Sequence, residues 1–310
     1  MLDVIVLNSH GVGQYAYTDR MPKWGETLSV SRWHVAEDGG KGSNVSVALG
    51  RLGVNTAYIG KVGNDPWGDL GEKWMKESGV NTEFLYRTDE VSTGTGLILI
   101  GPNGENSIID GDSSSVKLTF EEVEEAINRL HPSKYLIAGF EIRPSLVLKA
   151  CEVAKSKGMI VALNPSPLEE SKEYDFSSVD YLFINETELF TLTKDITKVE
   201  LINENVLKLF RDKYKFKTLI LTLGSEGSLY FDGNKIVRFK SVKVDSVVNT
   251  AGAGDGFMAA VIANLCKGKS LDFSMKWASY YSALSVTING TIPSYRPTEE
   301  VERFIKTLNK

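Results

Sequence analysis

Cysteine is nearly absent from this chain: two occur among 310 residues, Cys151 and Cys266, both inside apolar helical patterns. A secreted framework braced by disulfides would carry more of them. Histidine is almost as scarce, and His10, His34 and His131 show no metal-ligand spacing, so all three read as structural or surface residues. No apolar run approaches the ~20 residues that cross a bilayer. Positive charge is not in surplus either. Forty Asp+Glu against 35 Lys+Arg leave a net charge of −5, which argues against a nucleic-acid binder with its usual basic face. The start, Met1-Leu2-Asp3-Val4, places no basic segment before an apolar stretch, so the expectation is no signal peptide and a cytoplasmic location. What is present is an ordinary globular balance, 42% hydrophobic and 24% charged. A chain of this length buries about three-quarters of its unfolded surface and needs no disulfide or structural metal to hold a core.

From residue 130 onward, short β-branched runs alternate with longer amphipathic stretches. Tyr135–Ala138, Met159–Leu163, Tyr181–Ile184 and Thr218–Thr222 read as strands; Pro144–Lys157 and Asn203–Tyr214 read as helices. The strands are apolar on both faces, as in a parallel sheet covered by helices on each side. Val4–Leu7 and Thr56–Ile59 fit the same sheet. Two segments break the rhythm. Residues 11–36 contain glycines, Pro22 and a half-alternating Thr27–Val35 run without a convincing helix. Residues 92–110 read as a hairpin, Thr95–Ile100 and Asn106–Asp110 about a turn at Gly101-Pro102-Asn103-Gly104. Both look like antiparallel insertions that form a small β-sheet, a lid or an interface, on a single α/β domain spanning residues 1–310.

Among the 28 glycines four clusters stand out. Gly11-Val12-Gly13-Gln14-Tyr15-Ala16 fits G-x-G-x-x-A, but Pro22 and Gly25 cut short the helix that a dinucleotide turn requires, so a bend into the lid is the better reading. Gly268-Lys269-Ser270 resembles the end of a P-loop, yet Ala263 stands where the leading glycine should be, and the segment reads as a turn between helices. Gly39-Gly40-Lys41-Gly42-Ser43-Asn44 leads into a helix whose Val45, Ala48, Leu49 and Leu52 share one face, with Gly53 stopping it. One glycine and an Asn44 cap would suffice for a helix entry; three glycines let a ligand approach the backbone. Asn249-Thr250-Ala251-Gly252-Ala253-Gly254-Asp255-Gly256-Phe257 opens the apolar helix Met258–Leu265 and presents consecutive amides to an anion. Asp255 there is either an ordinary helix cap or a base that takes a hydroxyl proton beside a phosphoryl group.

GGKGSN and NTAGAGDGF resemble the two signatures of the PfkB, or ribokinase-like, carbohydrate kinases. Asn164-Pro165-Ser166-Pro167, Asn185-Glu186-Thr187-Glu188 and Thr222-Leu223-Gly224-Ser225-Glu226-Gly227 follow in the family's order, so the resemblance covers essentially the whole chain. Within the family these motifs are most similar to those of ribokinases. The resemblance implies an α/β body with a β lid and an ATP-dependent phosphotransferase acting on a hydroxyl, typically a hydroxymethyl, of a small sugar. It implies Asp255 as the base and the amides of Gly252, Ala253 and Gly254 as an anion hole. Gly40, Lys41, Asn44 and Glu141 would hold the sugar. Asn185 and Glu188 would lie near the phosphates and a hydrated Mg²⁺, with Thr222, Gly224, Gly227 and Ser279 along the nucleotide. A monovalent cation, K⁺, is implied near Asn249, Ala251 and the Thr287–Ser294 loop. As alternatives to Asn185 and Glu188 as ligands and Ser279 at the adenine, the first two could cap the next helix and the third could pack between helices.

Two departures matter. Ribokinases carry N-x-D after the first strand, its aspartate gripping two sugar hydroxyls; here those positions hold Gly11 and Gly13. A charged acceptor is replaced by backbone, a loss of roughly 1.5–3 kcal/mol unless another group substitutes. The glycines would make room for a larger or less polar ligand, and Gln14 or His10 could supply the contact. Asn249 stands where the family usually has aspartate, which weakens the expected cation dependence. The alternatives are therefore a nucleoside, fructose or phosphosugar kinase, the last needing Arg20, Arg32 or Arg143 at the sugar end, or a non-catalytic sugar or nucleotide sensor. Open strand edges on an isolated flap also predict a homodimer through the lid.

Overall fold

The computed structural model describes residues 2–102, 106–169, 172–193 and 202–308. In chain order the strands are β1 Leu2–Leu7, β2 Gly11–Tyr17, β3 Arg32–Asp38, β4 Thr56–Gly63, β5 Asn81–Thr88, β6 Gly94–Ile100 and β7 Asn106–Asp110. They continue with β8 Ser133–Gly139, β9 Ile160–Asn164, β10 Tyr181–Asn185, β11 Thr218–Thr222, β12 Ser228–Phe231 and β13 Ile236–Phe239. The helices are α1 Gly40–Arg51, α2 Pro66–Glu77, α3 Phe120–Leu130, α4 Pro144–Ser156 and α5 Glu186–Thr193. After them come α6 Glu204–Tyr214, α7 Ala253–Cys266, α8 Leu271–Ser285, α9 Thr291–Ser294 and α10 Thr298–Leu308.

Nine strands form the main sheet in the order β13-β12-β11-β10-β9-β8-β1-β4-β5. From β11 to β5 every neighbour is parallel; β12 and β13 close one edge antiparallel. The apolar runs follow from burial on both faces. Along β1, Ile5 and Leu7 enter a core with α3, α4 and α6, while Val4 and Val6 enter a second core with α1, α7 and α8. This is the helix-covered, mainly parallel α/β body expected from the sequence, and local chemistry supports its ends. Thr119 and Glu122 form a capping box on α3, and Asp65 caps α2 ahead of Pro66. No helix among the described residues is long and apolar enough to cross a membrane.

The two insertions meet in a separate four-stranded sheet, β3-β2-β6-β7. Its central pair β2–β6 is parallel, not antiparallel, because the insertions come from different places in the chain and no tight turn joins them; β2–β3 and β6–β7 are antiparallel. Within Thr27–Val35 the strand begins only at Arg32. Asn103 and Gly104 of the expected turn lie outside the described residues. This small sheet fits a lid.

Candidate active site

Parallel strands all end on one side, and that is where the chain's polar residues gather. Beyond β1 lie Asn8, Ser9 and His10; beyond β8, Phe140 and Glu141; β10 ends in Asn185 and β11 in Thr222. The starts of α1 and α7 point into the same cleft.

Helix α1 begins at Gly40, earlier than the apolar stripe suggests, so Lys41 sits in its first turn and Asn44 opens the second. Gly40 adopts φ +71°, a region that glycine enters freely. Asn44 is not the cap. The cap position, Gly39, has no side chain, and the first amides are satisfied from other elements. The Gly40 amide donates to Asp38 Oδ1 at 2.9 Å, and the Lys41 amide to Glu141 Oε2 at 3.0 Å. Ser9 Oγ also donates to Glu141 Oε2. Asn44 uses its whole amide: Oδ1 accepts the Gly39 N–H at 3.1 Å, and Nδ2 donates to Asp38 Oδ1 at 3.1 Å and to Asp255 Oδ2 at 2.9 Å.

Helix α7 begins at Ala253, five residues before the apolar run proper, with Gly252 at its cap position and φ +71°. A Cβ on Gly252 would lie 2.1 Å from Thr291 Cγ2, so neither the backbone nor the packing admits a side chain there. A Cβ on Gly254 would meet nothing within 4 Å, so this residue faces open space. Asp255 stands in the first turn of α7 beside amides that the helix cannot satisfy internally. It does not cap the helix; it meets Asn44.

Charge binds these pieces together. The Asp255 carboxylate foremost, with Glu141, Glu188 and Asp38, holds the Lys41 ammonium protonated well above its ordinary range. Burial raises the Asp255 carboxyl above the usual carboxylate range, against the pull of Lys41 and Asn44. Burial likewise pushes Glu141 up to about 7, with Lys41 and Ser9 opposing it. An aspartate with a raised pKa, a lysine and the first amides of a helix, of which the Ala253 N–H also reaches Thr250 O at 3.2 Å, form the equipment for deprotonating a hydroxyl beside an anion.

Toward β10 and β11, Asn185 and Glu188 cap α5 reciprocally: Glu188 N donates to Asn185 Oδ1 at 2.8 Å and Asn185 N to Glu188 Oε2 at 2.9 Å. Thr222 ends β11, and the following turn needs its glycines. Gly224 and Gly227 have φ +53° and +100°, and a Cβ on Gly227 would lie 2.1 Å from Phe239 O. Ser279 bonds back to Met275 O within α8 and also lines an open cleft of about 510 Å³ with Phe239, Val242 and Tyr280. Asn249 Oδ1 accepts the Ala251 N–H at 2.9 Å, and Nδ2 lies 3.4 Å from Asn289 Oδ1. The Thr287–Ser294 stretch is not all loop, since α9 occupies its end.

Gly11 and Gly13 leave no extra room. A Cβ on Gly11 would lie 3.1 Å from Gly94 O, because β2 and β6 run close together there, and one on Gly13 would lie 2.7 Å from Asp38 Cβ. His10 is fully buried with Nδ1 at Ser43 Oγ and Nε2 at Trp67 O, so both ring nitrogens are occupied. The three arginines are engaged elsewhere: Arg20 with Glu26, Arg32 over the Tyr17 ring, and Arg143 on Leu118 O. Asp38 went unnoticed in the sequence; the pair Glu37-Asp38 directly ahead of the GGKGSN run was the available signal.

Comparison with known proteins agrees over the full length. The family model described as pfkB family carbohydrate kinase matches residues 15–299. A ribokinase of Staphylococcus aureus (strain COL) is 29% identical over 304 residues, covering 97% of this chain and 98% of its own. A deoxyribokinase of Salmonella typhi is 29% identical, covering 98% and 99%. The structure of Arabidopsis thaliana ribokinase complexed with ribose and ATP superposes with a TM-score of 0.83 at 26% identity, covering 99% of each chain.

Proposed function

The chain belongs to the pfkB family of carbohydrate kinases, and we propose that this ribokinase-like enzyme transfers the γ-phosphoryl group of ATP to a hydroxymethyl group of a small unphosphorylated sugar. The observation that carries this reading is the meeting of Asp255 with Lys41 and Asn44 beneath the open start of α7. Asp255 takes the proton from the attacking hydroxyl. The amides of Gly252, Ala253 and Gly254 receive the charge that builds on the transferring group, and Lys41 sets one positive charge against the carboxylates around it. Gly40, Lys41, Asn44 and Glu141 face the sugar, with the backbone of Gly11 and Gly13 along its edge.

Thr222, Gly224, Gly227, Asn185 and Ser279 line the nucleotide. Among the described residues no group of three or more His, Cys, Asp or Glu could hold a metal directly. That suits Mg²⁺ carried in its water shell, with Glu188 receiving one of those waters. The phosphosugar alternative loses support, since Arg20, Arg32 and Arg143 each already have a partner within the protein. For a monovalent cation, the Asn249 amide and Ala251 form a weaker site than an aspartate would, so we place K⁺ as an activator of small effect. We assign residues 1–310 to one domain in the cytoplasm whose lid, about 11–36 and 92–110, closes over the sugar and excludes water.

The test is ADP release from Mg·ATP with a panel of pentoses, ketohexoses, nucleosides and cyclitols. At least one pentose or ketohexose should be phosphorylated; a nucleoside or cyclitol as the sole substrate would overturn the sugar reading and keep the kinase. Asp255→Asn should fold normally and lose roughly 10²- to 10⁴-fold in kcat; retained turnover would remove Asp255 from the role of base.

A further inference from the structure

The small sheet supplies a carboxylate that the family pattern does not. Gly13 on β2 pairs with Asp38 on β3, at an irregularity in the ladder between Gly13 and Gln14. A Cβ on residue 13 would lie 2.7 Å from Asp38 Cβ and 3.0 Å from Ile98 Cδ1, so the Asp38 side chain fills the space that a side chain at 13 would take. Glycine at 13 and aspartate at 38 are thus one steric unit. We propose that Asp38 is the acceptor for substrate hydroxyls in this enzyme, its carboxylate delivered across the ladder from β3 instead of along β2.

Counting bonds supports the assignment. A carboxylate offers about four acceptor positions. Oδ1 fills two of them with the Gly40 N–H and Asn44 Nδ2. Oδ2 lies 3.1 Å from Thr291 Oγ1 and 3.4 Å from the Tyr15 hydroxyl. Tyr15 and Thr291 are themselves 3.1 Å apart, and when the Tyr15 hydroxyl turns from Asp38 to Thr291, Oδ2 keeps the Thr291 proton alone. One position on Oδ2 is left for a substrate hydroxyl. It is well placed, because Asn44 Nδ2 bonds Asp38 and Asp255 together: the hydroxyl that Asp255 activates and the one that Asp38 grips belong to one small polyol. His10, with both ring nitrogens bonded inside the protein, does not compete for this role.

This assignment rests on the sugar-kinase reading, and the experiment separates the two. Initial rates are measured with D-ribose, 2-deoxy-D-ribose and D-fructose, varying sugar and Mg·ATP in turn, for wild type, Asp38→Asn, and a transposed variant joining Asp38→Gly with Gly13→Asp. Thermal unfolding checks that each is folded. With the best sugar, Asp38→Asn should raise KM for the sugar roughly 10- to 100-fold, the loss of one charged hydrogen bond, with KM for ATP little changed. The transposed variant should regain most of that loss. A sugar KM unchanged in folded Asp38→Asn, an equal rise in both KM values, or no regain in a folded transposed variant would overturn the assignment alone. A wild type that phosphorylates none of the three sugars overturns it together with the ribokinase-like reading.

Discussion

Glu141→Gln should make the protein more stable at neutral and alkaline pH while weakening its hold on sugar. The folded Glu141 carboxyl titrates near 7 because burial disfavours its charge, against 4.5 for an ordinary glutamate. Between these values the unfolded chain releases a proton that the folded chain keeps, so stability falls as pH rises through this window and the full penalty stands above pH 7. Each unit is worth about 1.4 kcal/mol. The shift sets a ceiling of ~3 kcal/mol, lowered because the side chain keeps some solvent contact. Glutamine keeps the shape and an oxygen for the Lys41 amide and Ser9, but has nothing to titrate. The stability gap between variant and wild type should therefore widen by about 2 kcal/mol from pH 5 to pH 8. In a chain of this size that is about 3 °C in unfolding midpoint. Thermal unfolding of both proteins at the two pH values, at one ionic strength, reads it directly. An identical gap at pH 5 and pH 8 would show that the carboxyl does not titrate in this window, and the electrostatic picture of the site would fall with it.

Gly252→Ala combines a left-handed backbone with a Cβ 2.1 Å from Thr291 Cγ2 and should cost about 2–5 kcal/mol, read by denaturant unfolding. Replacing K⁺ by a bulky organic cation should change wild-type turnover little, whereas Asn249→Asp should create a clear dependence on K⁺, seen in steady-state rates. Trp33, Ile108 and Ile109 leave about half of their surface exposed on the small sheet. If copies pair through it, sedimentation should show a dimer for wild type and a monomer for Ile109→Lys.

The α/β body was legible because its strands are uniformly apolar and its helices carry stripes; Tyr135–Ala138 or Pro144–Ser156 can be little else. The starts of α1 and α7 were harder. Their first turns consist of Gly, Ala, Lys, Ser and Asp, which have no apolar stripe, and at α1 the Lys41 amide is held by Glu141, a residue distant in sequence. The pairing of β2 with β6 was invisible for a related reason: parallel neighbours from separate insertions leave no turn signature. Asp38 shows the limit most plainly. Counting along the chain located the missing aspartate at Gly13, but the residue opposite Gly13 depends on a ladder with an irregular register, and only the folded β2–β3 pair shows it.

The start of α1 is held by two carboxylates from two different sheets, and that has a kinetic consequence for its protons. The Gly40 amide is protected by Asp38 of the small sheet, the Lys41 amide by Glu141 at the end of β8. Adjacent in sequence, they exchange with solvent through separate openings. Movement of the small sheet would release the first, and loosening of the segment after β8 the second. Hydrogen exchange at two neighbouring positions thus distinguishes movement of the small sheet from the breathing of the main one.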